Sequence, residues 1–133
     1  MKQPSVLLAE DDPTVLKMTK LRLEHEGLTV IVATDGREAL DKIMANGAID
    51  LVLLDIKMPK LDGFQICKVM KGNPATDKIP IIVFTGSASS WQKITDECIE
   101  LGITDWLKKP FRSDELMEKV HHVLDDTGER HGR

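Results

Sequence analysis

Short apolar runs alternate with longer amphipathic stretches along the chain. Ser5 to Ala9 (SVLLA) reads as a buried strand that stops at Glu10-Asp11-Asp12. Pro13 suits the first turn of a helix, where its missing N–H costs nothing, and that helix runs to about His25 before Gly27. Leu28 to Ala33 (LTVIVA) is rich in β-branched residues and predicts a second strand. Thr34-Asp35-Gly36 forms a turn and cap ahead of a helix from Arg37 to about Ala45, which Asn46-Gly47 stops. Asp50 to Asp55 contains Leu51-Val52-Leu53-Leu54, the kind of run found in strands covered on both faces.

A loop from Ile56 to Gly63 follows, and Phe64 to Lys71 predicts a helix ended by Gly72-Asn73-Pro74. Ile79 to Phe84 predicts a fourth strand, ending at Thr85-Gly86. Ser89 with Gln92 three residues later is a capping-box pattern. Trp91, Ile94, Cys98 and Leu101 then share one helical face, closed by Gly102. Ile103 to Lys108 is a weaker fifth strand, broken by Lys109-Pro110. Ser113 caps a last helix with Leu116, Val120 and Val123 on its inner face. Helical spacers between buried strands imply a parallel sheet, because parallel strands need long crossovers. The fold class is therefore α/β: a doubly wound (βα)5 five-stranded parallel sheet with helices on both faces. It forms one domain over 1–124, with 125–133 as a polar, flexible tail.

Composition narrows the function classes. The 133 residues are 41% hydrophobic and 30% charged, an ordinary globular balance that argues against wholesale disorder. With 18 basic against 22 acidic residues, the net charge is −4, and no basic cluster offers phosphates a binding face, so direct nucleic-acid binding is not expected. No stretch approaches the roughly 18 apolar residues of a membrane span, and no secretory signal peptide opens the chain. Cys67 and Cys98 have neither CxxC nor metal-ligand spacing, which suits two reduced thiols in a cytoplasmic protein.

In an open parallel sheet, ligands sit outside the carboxyl ends of the strands. The first strand ends in Glu10-Asp11-Asp12, the third in Asp55, the fourth in Thr85 and the fifth in Lys108-Lys109-Pro110. The second ends in Thr34-Asp35, which is capping chemistry. Carboxylates gathered from two strands repel one another and invite a hard divalent cation such as Mg²⁺. A lysine and a hydroxyl beside them suit a phosphoryl group, and a carboxylate can itself be the nucleophile that forms an acyl phosphate. Each element alone has a plainer use. Acids before a helix are commonly caps, an Asp after a strand is commonly a turn residue, and a Lys before Pro is commonly solvated. Their joint arrival at one edge is what carries information.

The order of the segments carries more. SVLLAEDDP, LVLLDIKMPKLDG, IIVFTG and DWLKKPF resemble the four signature segments of the response-regulator receiver domain of two-component signalling, and the resemblance spans about Val6 to Leu124. It implies a flavodoxin-like receiver with Asp55 as the phospho-accepting aspartate. Glu10 and Asp11 would be the acidic pair that organises Mg²⁺ (Mn²⁺ can substitute), with Asp55 and the Lys57 backbone carbonyl as further ligands. Thr85 and Lys109 would bind the phosphoryl group, and Gly86 is small beside it, as the family prefers. Pro110 would follow a cis peptide that aims Lys109. Trp106 would be the switch aromatic, turning inward as Thr85 moves toward the phosphoryl group, and the fourth helix, fifth strand and fifth helix would rearrange. Lys57 and Ser87 would gate the attacking water. The sequence departs from the common pattern in having Glu at position 10 for Asp, and Trp at 106 for Tyr or Phe.

Rival readings differ in class. A haloacid-dehalogenase-type phosphohydrolase would want a second acid two residues after the nucleophile, where Lys57 stands, and a cap insertion. A flavodoxin-like binding module would want a phosphate-cradling loop where the acids stand. A degenerate receiver would serve only as a protein-interaction module. For the receiver reading, the expected partners are a sensor histidine kinase or histidine phosphotransfer domain near the first helix and the site edge, and a downstream protein or an output domain absent from this chain. A phosphorylation-dependent homodimer is a further expectation. The protein would be a switch that catalyses only its own aspartyl phosphorylation and dephosphorylation. His25, His121, His122 and His131 have no phosphotransfer context and suit surface or helix-packing roles.

Overall fold

The fold was analysed in a computed structural model, which describes residues 3–45, 48–86 and 91–132, with only the backbone described for residue 91 and for 126–132. Ten elements alternate: β1 (Ser5–Ala9), α1 (Pro13–His25), β2 (Thr29–Ala33), α2 (Gly36–Ala45), β3 (Leu51–Asp55), α3 (Gly63–Lys71), β4 (Ile81–Thr85), α4 (Trp91–Glu100), β5 (Asp105–Lys108) and α5 (Ser113–Gly132). All strand pairs are parallel, in the order β2-β1-β3-β4-β5. This is the doubly wound (βα)5 arrangement, and its strand order reverses between β1 and β3.

Alternation along the strands builds two cores. From β1, Val6 and Leu8 face one side with Leu51, Leu53, Ile82 and Phe84, against Leu23 of α1 and Leu116, Met117 and Val120 of α5. Leu7 and Ala9 face the other side with Val52, Leu54, Ile81 and Val83, against Ile43 of α2, Ile66 and Met70 of α3, and Cys98 of α4. Every residue of β3 and β4 is buried, which is why both strands read as unbroken apolar runs. Each fully buried aliphatic side chain contributes about 1.5–3 kcal/mol relative to an exposed one.

Local chemistry sets most helix starts. Asp12 caps α1 by accepting Thr14 N–H at 2.9 Å and Val15 N–H at 3.2 Å, with Pro13 in the first turn. Asp62 and Gln65 form a reciprocal capping box at 2.8 Å each way at the start of α3. Asp35 caps α2 through Glu38 N–H at 2.8 Å. The Ser89–Gln92 pattern involves a residue outside those described, as do Asn46 and Gly47.

Several expectations shift, among them the fifth strand, which begins at Asp105 rather than Ile103. Strand β4 begins at Ile81 rather than Ile79, after Pro80, whose ring lacks the N–H a ladder needs. Ser113 is the first residue of α5 rather than its cap: Leu116 N–H reaches the Arg112 carbonyl, and the Ser113 hydroxyl accepts Arg22 Nη1–H at 2.8 Å. Helix α5 also continues through Gly132, past Leu124. Among the described side chains, its core contacts reach Val123 and Leu124.

Candidate functional site

The sheet's carboxyl edge gathers the predicted residues. Glu10 and Asp11 follow β1, Asp55 ends β3, Thr85 ends β4, and Lys109 follows β5. Glu10 is 0% exposed and Asp55 is 4% exposed, although both are carboxylic acids. Lys109 lies between them, donating to Glu10 Oε1 at 2.5 Å and to Asp55 Oδ2 at 3.0 Å. Asp12 N–H donates to the other Glu10 oxygen at 3.1 Å, and Lys57 N–H donates to Asp55 Oδ1 at 3.2 Å. The three acids after β1 therefore divide their work. Asp12 caps a helix, Glu10 turns into the protein, and Asp11 stays exposed at the rim.

One oxygen from each of Glu10, Asp11 and Asp55 lies within 4.8 Å of the others, close enough to share a metal ion. The donors are all hard carboxylate oxygens. Three carboxyl groups stand against one ammonium, a formal excess of two acidic groups. Burial pushes the Glu10 carboxyl above its usual range, and neighbouring Asp55 adds to this, while Lys109 and the Asp12 amide oppose it. Burial pulls the Lys109 ammonium down, but hydrogen bonds to Glu10 and Asp55 outweigh it and hold the proton. These are the features a divalent cation would relieve.

Thr85 and Trp106 are related through the sheet. Trp106 stands in register with Val83, two residues before Thr85 on β4, so both side chains leave the same sheet face. Trp106 is half-buried against the core that includes Val83 and Cys98, and Thr85 is buried. The Lys109–Pro110 peptide is cis. The Lys109 ammonium lies 5.5 Å from the Phe84 ring centroid, within cation–π range. Gly86 packs near the Lys109 stem, while Ser87 lies outside the described residues. The Lys57 side chain is exposed. Cys67 and Cys98 are buried free thiols. Of the histidines, His121 pairs with Glu26, the residue that follows α1, at 3.3 Å.

Sequence reasoning did not find a groove of about 510 Å³ beside this edge. Val15, Met18 and Arg22 of α1 form one wall, and Pro110, Phe111 and Leu116 form the other. Met18, an apolar residue of α1 that is 67% exposed, lines this groove. No described helix is long and apolar enough to cross a membrane.

A doubly wound sheet with clustered carboxylates and a bridging lysine at its carboxyl edge is an arrangement suited to a metal ion and a phosphoryl group. The chain belongs to the response regulator receiver domain family, whose model matches residues 6–121. Relatives agree. The transcriptional regulatory protein CpxR of Escherichia coli is 38% identical over 119 residues, covering 90% of this chain and 48% of that protein. The chain spans about half the length of such curated relatives. The receiver domain of the Francisella response regulator 1452 superposes with a TM-score of 0.84 at 34% identity, covering 94% of this chain and 99% of that one. The receiver domain of the sensor histidine kinase PA1611 of Pseudomonas aeruginosa, described with a magnesium ion coordinated in its active-site cleft, gives 0.81 at 26% identity over 93% and 99%. The chain is thus a receiver domain of the response-regulator type.

Proposed function

We propose that Asp55 is the residue that takes the phosphoryl group, from a phosphohistidine of a sensor kinase or phosphotransfer domain. The observation that carries this is the buried Asp55 carboxylate, held at 3.0 Å by Lys109 and at 3.2 Å by the Lys57 amide, beside two further acids. An Asp55 oxygen forms the new P–O bond as the P–N bond breaks, and the imidazole leaves with the electron pair. The Lys57 amide fixes the other Asp55 oxygen. Lys109 carries its charge to the transferred oxygens, and the Thr85 hydroxyl donates to them.

Glu10, Asp11, Asp55 and the Lys57 carbonyl would hold Mg²⁺ (or Mn²⁺), with Glu10 acting through water. Bound there, the ion would neutralise the charge that builds on the transferring oxygens. The PA1611 receiver is a precedent for the ion in this family. Phosphorylation adds roughly −1.5 to −2 charge at Asp55. Thr85 moves toward that charge, Trp106 fills the space it leaves, and the α4-β5-α5 surface changes for an output domain or downstream protein. The groove between α1 and the segment after β5 is where a phosphohistidine partner docks, because it opens beside the site. The protein acts as a switch rather than an enzyme on other substrates, in the cytoplasm.

The test is intact mass after treatment with acetyl phosphate. A single phosphoryl adduct that requires Mg²⁺ and disappears in Asp55→Asn supports the assignment. No adduct with fresh donor and Mg²⁺ overturns it in favour of an interaction module that is never phosphorylated.

A further inference from the structure

The N-terminus of α2 meets the β3–α3 loop, Ile56 to Asp62, backbone to backbone. Gly36 opens α2, so its N–H has no partner inside the helix. It donates to the Pro59 carbonyl at 3.1 Å. The same carbonyl accepts Leu61 N–H at 2.9 Å, closing a tight turn through Lys60 at φ 73. Lys60 Nζ reaches back to Asp35 Oδ2 at 3.5 Å, while Asp35 Oδ1 caps the helix. A Cβ at Gly36 would lie 1.8 Å from the Leu61 carbonyl oxygen and 2.6 Å from the Leu61 Cβ. The carbonyl is backbone and cannot swing aside, so any larger residue must push the loop off the helix.

The loop's other end bears on the site. Lys57 N–H holds Asp55 Oδ1 at 3.2 Å, and Gly63 N–H closes the loop neck on the Ile56 carbonyl at 2.8 Å. A Cβ at Gly63 would lie 2.9 Å from the Asp55 carbonyl oxygen, so neck and apex are both set by contacts only glycine permits. Gly36 does not have a left-handed φ. Local conformation therefore does not require glycine there, and helix propensity favours alanine. The demand comes wholly from the loop.

We infer that Gly36 is a positioning residue for phosphoryl acceptance. It lets α2 brace the loop apex so that the Lys57 amide orients Asp55 and the Lys57 carbonyl sits where a divalent cation needs it. This deepens the phospho-acceptor reading and rests on it. The experiment uses Gly36→Ala with two readouts: the backbone amide signal of Lys57 by NMR without metal, and the Mg²⁺ concentration for half-maximal adduct formation. Expected are a displaced Lys57 amide and a rise of about tenfold in the Mg²⁺ required. Arg37→Ala, which removes only an exposed pair with Asp41, leaves both unchanged. A folded Gly36→Ala with an unmoved Lys57 amide and native Mg²⁺ dependence overturns the inference. If Gly36→Ala does not fold, the double variant Asp35→Asn, Lys60→Gln loosens the apex without a clash. It should move the Lys57 amide and raise the requirement by about threefold, and no change in either overturns the inference. If the native protein itself takes no phosphoryl group, the phospho-acceptor reading fails. The Lys57 amide alone then decides whether Gly36 positions the loop.

Discussion

Lys109 and Asp55 are joined across the carboxyl edge of the sheet by a 3.0 Å ion pair, and the same ammonium serves Glu10. One cation thus holds two buried carboxylates together. Neither acid could be buried ionised without it, because desolvating an unpaired carboxylate costs several kcal/mol.

Lys109→Met should therefore lower stability by about 1–3 kcal/mol in chelator, since the two acids are left facing each other with no cation between them. Mg²⁺ should return part of the loss by replacing the missing charge. Thermal melts with and without Mg²⁺ measure both effects. A variant as stable as the native protein in chelator would show that the ion pair does not hold the site together.

Mg²⁺ should stabilise the native protein by mass action. At a hundredfold excess over its dissociation constant the gain is about 2.7 kcal/mol, seen as a rising melting temperature. Asp11→Asn should weaken this response, because Asp11 is exposed and its removal leaves the core intact. An identical titration in the variant would exclude Asp11 as a ligand.

Leu53→Ala should cost about 2–5 kcal/mol, because Leu53 is fully buried in the central strand between two neighbouring strands. Leu21→Ala, on the exposed face of α1, should stay within about 0.5 kcal/mol. Urea midpoints at constant slope compare the two. Equal losses would mean that β3 is not the centre of the core.

Stability should fall in alkali. Burial pushes the Cys67 thiol up to about 12 and the Cys98 thiol up to about 11, from an ordinary value of 9.0. Above pH 9 the unfolded chain loses these protons while the folded protein keeps them, so stability is intact below pH 9 and falls toward the raised values. The slope is at most about 1.4 kcal/mol per pH unit for each thiol. Urea midpoints across this window should fall less steeply in the Cys67→Ala, Cys98→Ala double variant. Parallel slopes would assign the loss to other groups.

A phosphoryl mimic such as beryllofluoride should change Trp106 fluorescence in a Trp91→Phe background, and Thr85→Ala should abolish the change. The expectation follows from the shared sheet face of Thr85 and Trp106. A full response in Thr85→Ala would break the proposed coupling.

Much of this protein was legible in its sequence, for a local reason. Five apolar runs at βα spacing dictate a parallel sheet, and such a sheet delivers its strand ends to one edge, so Glu10, Asp11, Asp55, Thr85 and Lys109 could be assigned to a common site from chain order alone. The caps at Asp12, Asp35 and Asp62 involve atoms two or three residues apart, and sequence carries such contacts directly. Contacts between segments distant in the chain were decided only in three dimensions. The sequence did not say which of three consecutive acids would be buried; the 2.5 Å contact between Glu10 and a lysine 99 residues away did. Nor could it show the groove between α1 and the segment after β5, whose two walls meet only once the sheet has formed. Gly36 is the sharpest case. In sequence it is one residue of a turn ahead of a helix, and its need for glycine arises from a carbonyl 25 positions further on, which only the folded chain brings to 1.8 Å from where its Cβ would be.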